Sequence, residues 1–167
     1  MKDFTKPKIR LISETIPDEF ILKTVFIKDI FEATEEFFDD NFRGAIIVDN
    51  ELDSDGYVNI SPDGFAFFHK VFLNAIFGES VVRLRMFCEK NHFKVEAKWK
   101  IYNKISKSDL NLLYSTANLS GFSMTVNEDG KEGNLTLSMP ISAKPYIAIY
   151  AVSLAKMRET FTRVFFL

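Results

Sequence analysis

The chain has 167 residues, enough for one domain with a substantial core. Its 47% apolar and 26% charged content excludes a disordered chain, and a formal net charge of −2 supplies no footprint for nucleic acid or an anionic membrane surface. No run approaches the roughly 20 apolar residues that span a bilayer, and a single cysteine, Cys88, excludes an intrachain disulfide. The basic start MKDFTKPKIRLISE lacks the apolar region of a secretory signal, so a reducing, cytoplasmic location is expected. Cys88 reads as a small hydrophobe in a strand rather than a nucleophile, because no cationic helix start lies near it.

In chain order, Pro17 to about Asn41 is expected as a long helix, with Pro17 suited to the first turn and a nearly continuous apolar stripe through Phe20, Val25, Ile27, Phe31 and Phe38. Gly44 releases GAIIVDN, and a turn through Asp53, Ser54, Asp55 and Gly56 leads into YVNI, expected as a short strand pair. Ser61 and Pro62 form a helix start, an oxygen cap followed by a residue that needs no amide hydrogen. That second helix, SPDGFAFFHKVFLNAIF, carries Phe65, Phe68, Phe72, Ala75 and Ile76 on or near one face.

Beyond Gly78 the period switches to two. Val82, Leu84 and Met86 alternate with Arg83 and Arg85, and Phe93, Val95, Ala97 and Trp99 alternate with Lys94, Glu96 and Lys98, which predicts a hairpin turned near Glu89 to Asn91. Ser106 and Asp109 make a capping-box pattern for a third helix ending at Gly121, whose missing side chain suits a left-handed exit. A second hairpin turns through Asp129 and Gly130, with Phe122, Met124, Val126, Leu135, Leu137 and Met139 inward. The tail from about Pro145 to Leu167 reads as a fourth helix, and 18 phenylalanines supply much of the core. No repeat or linker divides residues 1–167, so the expectation is one α/β (α+β) domain. It is a two-layer sandwich of one mixed, mainly antiparallel sheet with helices on one face.

This order of elements, with VFLNAI in the second helix, resembles the histidine-kinase-like ATPase domain, the fold shared with gyrase-type and heat-shock ATPases. The resemblance covers roughly residues 20 to 140, with 145–167 as an added C-terminal helix. VFLNAI is similar to the family's asparagine box. Carried over, Asn74 would offer its amide oxygen to the magnesium ion that bridges the nucleotide phosphates. Lys70, one helical turn earlier, takes the place where many members orient the attacking water or phosphoacceptor. A lysine there can neutralise a phosphate but is a poor general base.

The departures matter as much. Members end the strand with D-x-G-x-G, whose aspartate accepts the adenine amino hydrogen, whereas here Trp99 falls at the aspartate position and Ile101 at the glycine position. An indole has one donor and no acceptor, so it fills an adenine cavity rather than reading the base. Between Tyr102 and Ser120 there is no glycine, and the few residues from Ile101 to Ser106 leave no room for the family's lid or its G-x-G phosphate segment.

The remaining candidates read as structure. His69 is expected to be an ordinary, partly exposed histidine and His92 an exposed one at a hairpin end; neither has partners at zinc-ligand spacing. Asp49, Glu51, Asp53 and Asp55 lack the glycine and terminal glutamate of a calcium loop and read as a solvated turn. Arg83, Arg85, Lys94, Lys98 and Lys100 read as the wet side of a sheet, or as a face for an acidic partner.

Two functions follow from the resemblance. The favoured one is a degenerate, non-catalytic ATPase-like module for regulation or protein interaction in bacterial-type signalling, with no cofactor expected and no catalytic residue assigned. Its protein partner would meet the first helix or the Phe-rich C-terminal helix. The alternative is an active magnesium-dependent ATP-binding kinase or ATPase using Asn74 and Lys70. A complete sensor kinase is not expected. The apolar end Val164 to Leu167 docks either on the chain's own sheet or on a second copy, which leaves a homodimer open.

Overall fold

The computed structural model describes residues 20–51, 56–76, 81–142 and 151–166. Two findings correct the expected first half. Residues 23–26 are not helical: Lys23–Phe26 is strand β1, and helix α1 runs Ile27–Asn41. Pro17 lies outside the described residues. The apolar run was continuous enough to satisfy a helical period, and the adjacent β-branched Thr24 and Val25 favour an extended backbone once a partner strand is present. Phe26 gives α1 no side-chain cap. The Ile27 amide donates instead to the Gly56 carbonyl at 3.0 Å, which satisfies one orphan donor of the first turn.

Strands β2 (Ile46–Asn50) and β3 (Tyr57–Ile60) form as expected but do not pair with each other. β3 runs antiparallel to β1, with Thr24 Oγ1 donating to Asn59 Oδ1 at 3.0 Å, while β2 lies parallel to β4 (Val82–Glu89). The single expected sheet is therefore two. A β1–β3 ribbon stands beside a five-stranded sheet of order β2-β4-β5-β7-β6, in which β5 is His92–Lys100, β6 Ser123–Asn127 and β7 Glu132–Pro140.

Later elements follow their local signals. The β4–β5 hairpin turns on Lys90 and Asn91, both with positive φ, as a two-residue hairpin turn requires. Helix α2 (Pro62–Ala75) starts at Ser61, whose Oγ accepts the Gly64 amide at 2.9 Å. Helix α3 (Lys107–Ser120) starts at Ser106, which accepts the Asp109 amide, and ends at Gly121 with φ 89°. The β6–β7 hairpin turns at Gly130, φ 96°. Cys88 lies half-buried in β4, as a strand residue.

The C-terminal helix α4 is shorter than expected, Leu154–Phe165, capped by Ser153. Val152, just before it, bridges to Val25 of β1, and residues 143–150 lie outside the described set. α4 docks on helices α1 and α2 rather than on the sheet. Met157 and Phe161 are fully buried there, and Phe161 stacks on Phe37 at 5.3 Å. Arg158 clamps Glu36 through two bonds of 2.7 and 2.9 Å, and Arg163 meets Asp63 at 2.6 Å. No helix of the described residues is long and apolar enough to cross a membrane.

Candidate functional site

Helix α2 is the element on which the candidate residues converge. Its amphipathic pattern buries Phe65, Phe68, Val71 and Phe72 and leaves Asn74 exposed in the last turn. Asn74 follows Phe72 by two residues, about 200° around the helix axis. Phe72 faces the sheet, so Asn74 faces another side. Lys70, one turn before Asn74, reaches the far end of α4, where its Nζ donates to the Val164 carbonyl at 3.0 Å. A cation at a helix C-terminus meets both an orphan carbonyl and the negative end of the helix dipole, which gives Lys70 a structural task.

His69 is not partly exposed; it is 2% exposed among Phe38, Phe65, Phe68 and Phe161. Its Nδ1 lies 2.8 Å from the Phe65 carbonyl, a contact in which Nδ1 carries the hydrogen and donates. Burial pushes its pKa down to about 4, so the ring is neutral near pH 7. The helical period alone placed it beside Lys70. The packing of α1 and α4 against α2, through Phe38 and Phe161, closes over it. His92 is half-buried at the start of β5, with Nδ1 3.0 Å from the Lys90 carbonyl. Asp49 is exposed and Glu51 pairs with Arg85 at 2.7 Å, whereas Asp53 and Asp55 lie outside the described residues. Among the described residues no group of three or more His, Cys, Asp or Glu side chains could hold a metal ion.

Trp99 completes the inward row Phe93, Val95, Ala97, Trp99 near the end of β5 and is 3% exposed. Its ring meets Phe72 of α2 edge-on, with centroids 5.1 Å apart, and lies across Gly133, its partner on β7. A Cβ at position 133 would overlap the indole, so that glycine is matched to the tryptophan. The buried Nε1 has no hydrogen-bond partner among the described residues.

The segment after β5 is closed down on the sheet. The Ile101 amide donates to the Lys131 carbonyl at 2.8 Å, and the Ile105 amide donates to the Glu128 carboxylate at 3.0 and 3.3 Å. Ile105 itself is buried, and α3 starts two residues later. Neither Gly133 nor Glu128 stands out in the sequence as a site residue. An isolated glycine inside the alternation of β7 was the available sign of a close approach, and Glu128 gave none.

Neither a protein-family model nor a curated protein sequence matches the chain. Solved structures do match in three dimensions. The Acinetobacter baumannii histidine kinase AdeS superimposes with a TM-score of 0.56 at 11% identity, over 82% of this chain and 75% of that one. The ATP binding domain of PrrB from Mycobacterium tuberculosis gives 0.53 at 15% identity, over 73% and 98%. The cytoplasmic segment of the histidine kinase QseC gives 0.51 at 12% identity, over 83% and 93%. The chain therefore has the histidine-kinase-like ATPase fold, and identities this low carry the fold alone.

Proposed function

We propose that this chain, with its histidine-kinase-like ATPase fold, is a degenerate and non-catalytic member acting as a regulatory or protein-interaction module in signalling. The observation that carries the reading is Trp99. An indole packed on Phe72 and seated over Gly133 fills the layer between the end of β5 and α2. By the resemblance, an adenine would be expected in that layer. The residues present do not fit a purine: the indole offers a donor, no acceptor, and no space.

The phosphate side supports the same reading. The connection from Ile101 to Ser106 is short and is held to the β6–β7 hairpin by the Ile101 and Ile105 amides, which supports a segment without the family's lid. Lys70 is engaged by the end of α4. Phosphoryl transfer depends on positioning and charge stabilisation, and a filled adenine layer beside a pinned connection supplies neither. The alternative, a live magnesium-ATP site, draws its support from Asn74, which is exposed in the last turn of α2 and could offer an amide oxygen to a magnesium ion.

Thermal melting with and without saturating magnesium-ATP separates the two, since a ligand that binds only the native state raises the midpoint. The expected result is an unchanged midpoint. A rise that disappears in Asn74→Ala would establish the nucleotide-binding alternative.

A further inference from the structure

The sheet face turned away from the helices carries five cations, Arg83 and Arg85 on β4 and Lys94, Lys98 and Lys100 on β5. Three of them are matched by acids. Arg85 stands opposite Glu96 and bonds Glu51 at 2.7 Å, Lys94 bonds Glu89 at 3.2 Å, and Lys100 stands opposite Glu132. Arg83 and Lys98 break the rule. They stand directly opposite each other across the β4–β5 ladder, and both are exposed. Among the described residues Lys98 ion-pairs only with Glu96, at 3.9 Å, an acid already shared with Arg85, and Arg83 makes no ion pair.

Like charges set directly opposite in an antiparallel ladder cost stability, so this pair is locally unfavourable on a face that elsewhere pairs its charges. The same row continues through Asn134 on β7 to Asn127 on β6. Asn127 is exposed and its Oδ1 already accepts the Asp129 amide at 2.8 Å, so what its amide has to offer a ligand is the NH2 donor. The four side chains thus present two cations and amide donors over four neighbouring strands, about 14 Å at ~4.8 Å per strand. About four to five residues of extended chain cover that span.

We propose that the Arg83–Lys98–Asn134–Asn127 row is a docking surface for an acidic segment of a protein partner, whose carboxylates lie between the two cations and accept from the asparagine amides. A nucleic-acid backbone fits less well, because the rows on either side present Asp49, Glu96 and Glu132 to the neighbouring phosphates. Lys98 alternates with Trp99, so the surface lies on the opposite side of the sheet from the indole. The row rests on the regulatory reading only for the partner's being a protein, and it stands whether or not the Trp99 site takes a nucleotide.

The test is calorimetric titration of the full chain with a short oligoglutamate peptide at low salt. The wild type is expected to bind, with affinity that falls as salt is added, and Arg83→Glu with Lys98→Glu is expected to weaken binding by about tenfold or more. Lys28→Glu with Lys107→Glu, which makes the same change in net charge away from the row, is expected to bind as the wild type does. Lys98→Glu alone converts the opposed pair into an attractive one, so its melting temperature is expected to equal or exceed the wild type's while binding weakens. Absence of peptide binding by the wild type, equal loss in the control variant, or a fall in the melting temperature of Lys98→Glu would each overturn the proposal. So would tighter binding of a single-stranded oligonucleotide to the same row. The nucleotide melt described above reads a different site, so either proposal can fail without the other.

Discussion

A neutral imidazole sits in the aromatic core at His69, held there by burial and by its bond to the Phe65 carbonyl. Its folded pKa of about 4 lies below the ordinary 6.5, so the unfolded chain binds the proton more readily. The stabilising contribution is therefore complete above pH 6.5 and is lost as pH falls toward 4. Between pH 7 and pH 5 the loss is roughly 2 kcal/mol. Urea unfolding of wild type and His69→Phe at both pH values should show a steeper loss in the wild type by about that amount; equal losses would contradict the burial. Trp99 and Gly133 form a second pair at this scale. Gly133→Ala should cost about 1–3 kcal/mol by overpacking against the indole. That cost should shrink in a Trp99→Ala background, where the ring is gone, and a double-mutant cycle measures the coupling. Burial of Trp99 was legible because strand alternation fixes which side a residue faces. Burial of His69 was not, because it depends on a helix more than eighty residues later.

The same difference separates the elements. Ser61, Ser106, Gly121 and Gly130 act within three or four residues of their own position, and the starts, exits and turns they mark are all present. The departures from expectation lie where pairing is long-range. Thr24 and Val25 became a strand because β3 was available to pair with them, and β2 left β3 for a parallel place beside β4. Helix α4 shows the corresponding case for packing: its apolar stripe was legible, but its seat on α1 and α2 was not. Lys70 joins the end of that seat to α2. Lys70→Met, which keeps much of the aliphatic stem and removes the donor, should lower stability by about 1 kcal/mol. Amide exchange in the last turn of α4 should quicken in that variant, and an unchanged rate would remove the structural task assigned to Lys70.

At the scale of the whole molecule, the order of helices and strands and the asparagine on α2 pointed to a nucleotide-binding fold, and the architecture agrees with it. The proposed loss of the nucleotide site was read from Trp99 and Ile101, which stand where the resemblance expects a carboxylate and a glycine. The closure of the loop onto Glu128 needed coordinates, since that contact joins residues 23 apart in sequence. On the proposed reading, the indole packed on Phe72 and Gly133 stands in the place of a purine. The chain's single tryptophan is the reporter of that claim. Its fluorescence, excited at the red edge of indole absorption, should stay unchanged as magnesium-ATP is titrated into the millimolar range. A saturable shift or quench, reversed by competing nucleotide, would place a ligand against Trp99 and contradict the account.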